Sequence, residues 1–176
     1  NHTFGSTVNY VGHLSQGCEV YISSGIKHVS DEIREQQPTH LILVPAFLEV
    51  MNKKIWTTAR KSGKEGILKA MMKFSDLLRK AGIDIRRKLF ASVLSAFGGK
   101  LELIICGGAK LDEEIIRTFD SIGITVLNGY GITECAPLIS VNHSRNIVPG
   151  SVGTVLDMDT VRISEHKKQG RQSKIC

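Results

Sequence analysis

The chain has 176 residues, 41% apolar and 23% charged with only 4 Pro, the length and composition of one ordinary globular domain rather than a disordered, collagen-like or disulfide-scaffold chain. Its longest apolar runs, Leu41 to Val44 and Leu103 to Cys106 among them, fall far short of the roughly 20 residues that a membrane-spanning helix needs. The net charge of +6 is unevenly spread: residues 53–100 hold 13 Lys and Arg against Glu65, Asp76 and Asp84, which suits solvated helix faces or an anionic membrane surface. The aromatics there, Trp56, Phe74, Phe90 and Phe97, fall on apolar helical positions instead of interleaving with the charges, which argues against nucleic acid. Cys18, Cys106, Cys135 and Cys176 are widely spaced with no C-x-x-C pair, so a reducing, cytoplasmic setting is expected. The opening at Asn1 has neither a charged n-region nor an apolar h-region, and the expectation is that the chain begins inside a longer protein.

In chain order, Glu19 to Ser23 alternates as a short strand, and Ser30 is placed to cap a helix with Asp31 and Glu32 in its first turn and Pro38 as its stop. His40 to Val44 reads as a strand buried on both faces, and Pro45 opens the next helix. From Pro45 to Phe97 the period is helical, with stripes Ile67, Met71, Phe74, Leu78 and Leu89, Val93, Phe97. Breaks fall at Gly63 and Gly66 and at Gly82, Asp84 caps the last helix, and Met71 and Met72 fill core. Leu101 to Cys106 is a strand, Asp112 to Ile122 a helix and Ile124 to Asn128 another strand. This alternation predicts an α/β fold, a largely parallel sheet flanked by helices. Beyond Gly129 the pattern turns irregular until Val152 to Ile163, which suggests short antiparallel strands near the C-terminal end.

Two loops carry chemistry. Gly107-Gly108-Ala109 lies between a strand end and a helix start, where ligands bind in open α/β sheets; alone it is more often just a tight connection. The next strand ends in Asn128-Gly129-Tyr130-Gly131-Ile132-Thr133-Glu134, and the two strand ends are expected to be neighbours. A dinucleotide fingerprint fails because its third glycine would stand where Glu134 is, and no Walker loop occurs. What remains is a flat aromatic, a hydroxyl suited to phosphate and a hard oxygen ligand suited to Mg²⁺, a nucleotide-phosphate site by residue type.

Asn128 to Glu134 followed by Cys135-Ala136-Pro137, with Gly107-Gly108-Ala109 about twenty residues earlier, resembles the adenylate-forming superfamily of AMP-forming acyl-CoA synthetases, luciferases and peptide-synthetase adenylation domains. His2-Thr3-Phe4-Gly5 is similar to that family's His-aromatic-Gly motif, and Pro149-Gly150-Ser151-Val152-Gly153 to the turn after its nucleotide loop. The basic helical insertion is most similar to bacterial long-chain fatty-acyl-CoA ligases. The resemblance implies a partial AMP-binding domain over residues 1–164, within the large N-terminal domain of such an enzyme, followed by a polar tail over 165–176.

It further implies Tyr130 against an adenine, Asn128 near its amino group, and Gly107, Gly108, Ala109, Gly129 and Gly131 forming the surrounding backbone. Thr133 would bond the α-phosphate and Glu134 would hold Mg²⁺. His2 and Phe4 would border the carboxylate, with His2 beside the reaction itself, and Ala136 and Pro137 would line the acyl pocket. Lys110 departs from the family's usual Pro, which affects loop stiffness more than contacts. The phosphate loop would precede this chain, and the ribose-binding Asp, hinge and catalytic Lys would follow it. The substrates implied are ATP, a long-chain fatty acid and CoA. The isolated chain is expected to fold without catalysing and to cover its exposed apolar surface by self-association.

Simpler roles stand beside these. Tyr130 could cap a strand end, Thr133 a helix, and Glu134 could serve a helix dipole; the flanking glycines outweigh them. Cys135 has no His partner and reads as a small buried thiol. The rival functions are an amino-acid or aryl-acid adenylation domain and a non-catalytic module binding a nucleotide or an anionic surface.

Overall fold

The computed structural model describes residues 5, 10–25, 28–135, 137–143, 147–157 and 160–162. A one-turn helix, α1 (His13–Ser15), precedes α2 (Val29–Gln36), β1 (His40–Leu43), α3 (Pro45–Lys61), α4 (Glu65–Lys80), α5 (Arg86–Leu89) and α6 (Ala91–Ser95). After these come β2 (Leu103–Cys106), α7 (Glu113–Ser121), β3 (Thr125–Gly131), a 3-10 turn at Thr133–Cys135, β4 (Leu138–Val141) and β5 (Thr154–Val155). The five strands form one sheet in the order β1-β2-β3-β4-β5. The first three run parallel, and β4 and β5 are antiparallel additions. The expected α/β class with antiparallel strands near the C-terminal end is what the chain adopts.

Side-chain alternation shows which face of the sheet the helices cover. Ile104, Cys106 and Val126 are fully buried against α3 and α7 residues such as Leu48, Ile115 and Phe119, and their register partners Leu41 and Leu43 pack on the same core. Leu103, Ile105 and Thr125, one residue out of phase, are only half-buried. Successive strand residues point to opposite faces, so β1 is not buried on both sides as its apolar run predicted. It is also an end strand of the sheet.

Local signals behave unevenly. Pro45 opens α3, and Asp112 caps α7 by accepting the Glu114 N–H at 2.9 Å. Ser30 does not cap α2: His28 occupies the cap position without a side-chain bond, and Ser30 lies inside the first turn. Gln37 in the left-handed region and Pro38 end that helix. Gly63 ends the α3 connection at φ 68°, whereas Gly66 lies inside α4. Glu19 to Ser23 forms no strand, since Tyr21 and Ile22 stay exposed and no described strand pairs with them. The Ser23 and Ser24 hydroxyls instead donate to Glu32 and lower its pKa.

The α4 stripe is rotated by one residue from its predicted position. Leu68, Met72 and Ser75 face the core, and Ile67 and Phe74 are exposed. Met72 is buried and Met71 packs partly against the core, as filler. Not all of the basic segment is a solvated face. Arg86 pairs with Asp84 and Asp120, and Arg87 donates to the carbonyls of Leu101 at 2.8 Å and Gly99 at 3.0 Å, tying α5 to the start of β2. Asp84 accepts the Arg86 N–H at 3.1 Å, at the start of α5.

Candidate functional site at the strand ends

Cys106, the last residue of β2, pairs with Asn128 of β3. There β2 stops and turns through buried Gly107 and exposed Gly108 at φ 88° into exposed Ala109 and Lys110. The neighbouring strand does not stop. The expected glycine loop after Asn128 is a continuation of β3, in which Gly129, Tyr130 and Gly131 change partner and pair antiparallel with Val141, Ser140 and Leu138. β4 was missed because four residues between Pro137 and Asn142 are too short a run to read; the β-branched Ile139 and Val141 were its available signal.

Sterics explain the glycines in this strand. A Cβ on Gly131 would lie 1.8 Å from the Pro137 carbonyl oxygen, and one on Gly129 would meet Leu138 and Ser140 at 3.3 Å. A register shift falls between Tyr130 and Gly131, the mark of a bulge that re-aims side chains next to many binding sites. Beyond it Thr133, Glu134 and Cys135 form an exposed 3-10 turn closed by the Cys135 N–H on the Ile132 carbonyl at 3.1 Å. Cys135 is therefore exposed, contrary to its reading as a buried thiol, because it ends this turn instead of entering the core.

The Cys106–Asn128 pairing sets the start of the Gly107–Ala109 turn beside the start of the Asn128–Gly131 ledge, and Thr133 and Glu134 follow that ledge along the chain. Tyr130 is half-buried and Pro137 buried against Gly131. His2, Phe4 and Ala136 lie outside the described residues. Asn128 is 5% exposed, and its side-chain Oδ1 is buried without a hydrogen-bond partner among the described residues. Such an atom costs free energy unless a donor reaches it.

Sequence reasoning missed Asn142. At 2% exposure its Nδ2 donates to the Asn128 carbonyl at 3.3 Å and the Ser151 carbonyl at 2.7 Å, while its Oδ1 accepts the Val148 N–H at 3.3 Å. One amide thus fastens the Pro149–Gly153 turn to the ledge. A Cβ on Gly153 would lie 2.0 Å from the Val141 carbonyl oxygen, so that approach also requires glycine.

A partly open pocket of about 140 Å³ lies away from the strand ends, between α2, α3 and the end of α6, lined by Ile33, Phe47, Met51 and Phe97 among others. An open cleft runs past Lys110, Asp112, Glu113 and Gly150. The ledge itself is a surface site among the described residues. Among the described residues, no group of three or more His, Cys, Asp or Glu is placed to hold a metal unaided. Exposed Glu134 fits a cation such as Mg²⁺, which takes one or two carboxylates and completes its shell with water and substrate phosphates.

The family described as AMP-binding enzyme matches residues 1–174. The chain belongs to the AMP-binding enzyme family, as the glycine motifs implied. It is 26% identical to long-chain-fatty-acid–CoA ligase 5 of Rattus norvegicus over 172 residues, 93% of this chain and 25% of the relative. It is 24% identical to the probable acyl-activating enzyme 16, chloroplastic, of Arabidopsis thaliana, over 86% of this chain and 28% of that protein. The chain thus spans about a quarter of the length of the curated relatives it matches. Its fold is that of the anthranilate CoA ligase AuaEII solved with anthranoyl-AMP, at TM-score 0.59 and 17% identity over 93% of this chain and 26% of that one. An ATP-bound RpMatB-BxBclM chimera gives TM-score 0.58 and 20% identity with the same coverage of both chains.

Proposed function

We propose that this chain supplies the adenine and α-phosphate side of the active site in an AMP-forming acid–thiol ligase whose acid is a long-chain fatty acid. The observation that carries the reading is the buried Oδ1 of Asn128, which has no hydrogen-bond partner among the described residues and lies on the β3 residue paired with Cys106, where β2 ends before the Gly107–Gly108 turn. An adenine amino group is a donor of the kind that oxygen lacks, and the half-buried Tyr130 ring two residues on offers a face for the base. Thr133 would donate its hydroxyl to the α-phosphate, and Glu134 would hold Mg²⁺.

Attack of a carboxylate on the α-phosphorus builds charge on the phosphate oxygens, which a fixed hydroxyl donor stabilises without reorganising. A bound Mg²⁺ supplies further charge compensation when present. His2 and Phe4 would border the incoming carboxylate, and Ala136 and Pro137 the acyl chain. Pyrophosphate would leave the α-phosphorus as the acyl-adenylate forms, and the CoA thiol would then take the acyl group with AMP as the leaving group. The relatives named as long-chain fatty-acid ligases support the acid assigned. The free thiols of Cys18, Cys106 and Cys135 accord with a cytoplasmic setting, and the basic segment 53–100 with contact at a membrane surface.

The test is pyrophosphate exchange in the longer protein carrying this chain, with palmitate, an aryl acid and amino acids as alternative substrates. Palmitate-dependent exchange that falls at least tenfold in Glu134→Gln is the expected result. Exchange driven only by an aryl or amino acid would reassign the substrate. Unchanged exchange in Glu134→Gln would remove that carboxylate from the site.

A further inference from the structure

Helix α4 presents two apolar faces, and among the described residues only one of them is packed. Leu68, Met72 and Ser75 are turned into the core. On the other side Ile67, Phe74 and Leu77 are 57%, 53% and 65% exposed. At about 3.6 residues per turn, spacings of seven and three place these side chains along one line, with exposed Ala70 between them. Lys73 and Lys80 lie on the polar flank of that line, and Lys69 beside them. Ile83, just past the helix, is also exposed.

The charges around the stripe are one-sided. Every acidic side chain of residues 53–100 is engaged by a cation: Glu65 by Arg60 and Lys69, Asp76 by Arg79, and Asp84 by Arg86. Lys73 and Lys80 have no ion-pair partner among the described residues. The segment therefore shows outward an apolar line beside unneutralised ammonium groups on flexible stems.

From this pattern we infer that the Ile67–Phe74–Leu77 face of α4 docks flat on an anionic lipid bilayer. The three apolar side chains enter the boundary between headgroups and acyl chains while Lys73 and Lys80 reach back to the lipid phosphates. A helix lies in the interface when it combines a narrow apolar stripe with a cationic border, and long lysine stems let both be satisfied at once. A second copy of the chain is a poorer occupant. A large side chain carries on the order of 200 Å², so three that are half to two-thirds exposed offer less than half of the roughly 800 Å² per partner in a stable interface. Two such faces would also bring lysines together. The inference deepens the membrane contact proposed above but does not depend on catalysis, because it concerns lipid binding without ATP, acid or CoA.

The test is cosedimentation of this chain with phosphatidylcholine vesicles, with and without phosphatidylglycerol, at low and high salt. Two exposed double variants accompany it, F74S/L77S and K73E/K80E, each checked by circular dichroism and thermal melting for an unchanged fold. Binding should require phosphatidylglycerol, weaken with salt, and fall at least tenfold in both variants. In a third variant, Phe74→Trp, indole emission should shift to the blue on adding anionic vesicles and be quenched by brominated lipid, which a purely electrostatic contact would not produce. Equal binding to neutral vesicles, or full binding by either double variant, would overturn the inference. So would a vesicle-independent dimer in sedimentation velocity that F74S/L77S dissociates, which would assign the face to a second copy. Loss of pyrophosphate exchange in the longer protein with vesicle binding intact would count against the ligase reading alone.

Discussion

Asn142 holds the Asn128 carbonyl twice, through its backbone N–H at 3.1 Å and its side-chain Nδ2 at 3.3 Å. The contact falls where β3 leaves its parallel partner β2 and takes up its antiparallel partner β4. A strand exchanging partners has backbone groups that neither ladder fully satisfies, and the buried amide meets that need while reaching Ser151 and Val148. Asn142→Ala should therefore destabilise the chain by about 2–3 kcal/mol in urea unfolding, the cost of leaving buried groups without partners. Asn142→Asp should be no better, since a carboxylate cannot donate to the two carbonyls. Stability equal to the parent in both variants would show that this amide is dispensable.

The glycines of the two motifs should not be equivalent. Alanine at Gly131 would place its Cβ 1.8 Å from the Pro137 carbonyl oxygen, a backbone contact that can be relieved only by moving β4. Alanine at Gly108 meets nothing within 4 Å, and its cost is confined to the left-handed φ of 88°, roughly 1–2 kcal/mol. Thermal melting should show Gly131→Ala much the more damaging. A reversed order would mean that the bulge at Tyr130 and Gly131 relaxes easily.

Acid stability should carry a contribution from Asp84. Hydrogen bonds from the Arg86 guanidinium, opposed by partial burial, bring its carboxyl from 3.8 down to about 2. Because the folded value is the lower one, the folded state is stabilised above the ordinary carboxylate value, and the gain is lost as pH falls through that value toward 2. Asp84→Asn should flatten the acid limb of the stability curve in that window. Half of the Asp84 side chain is exposed, so added salt should reduce the difference. An acid limb unaltered by the substitution would exclude the contribution.

Thiol reactivity should separate three cysteines. Burial pushes the Cys106 thiol up to about 12, whereas Cys18 and Cys135 are exposed. Because the thiolate is the reacting form, alkylation of the native chain near neutral pH, mapped by mass spectrometry, should modify Cys18 and Cys135 and spare Cys106 until unfolding. Rapid modification of Cys106 in the folded chain would show that the β2 end opens to solvent.

Much of this protein is written in local order. The change of hydrophobic period from Leu101 to Asn128 was enough to specify β2, α7 and β3, because each element's pattern serves its own packing. Asp112 and Pro45 marked helix starts through their own backbone chemistry. The glycine motifs sufficed to indicate the family, since residue types at fixed spacing survive without any knowledge of the fold.

Other features depended on partners distant in sequence. Whether Glu19 to Ser23 is a strand is decided by a neighbouring strand, and no described strand lies beside it. Which side of α4 is core depends on where α3 and α7 lie, and helical period alone left Leu68 and Ile67 one residue apart and equally eligible. The extension of β3 through Gly131 needed β4, and the value of Asn142 needed Asn128, Val148 and Ser151 to converge on it. Period and residue type are properties of a segment, but burial and hydrogen-bond satisfaction are properties of pairs, and only the tertiary structure selects the pairs.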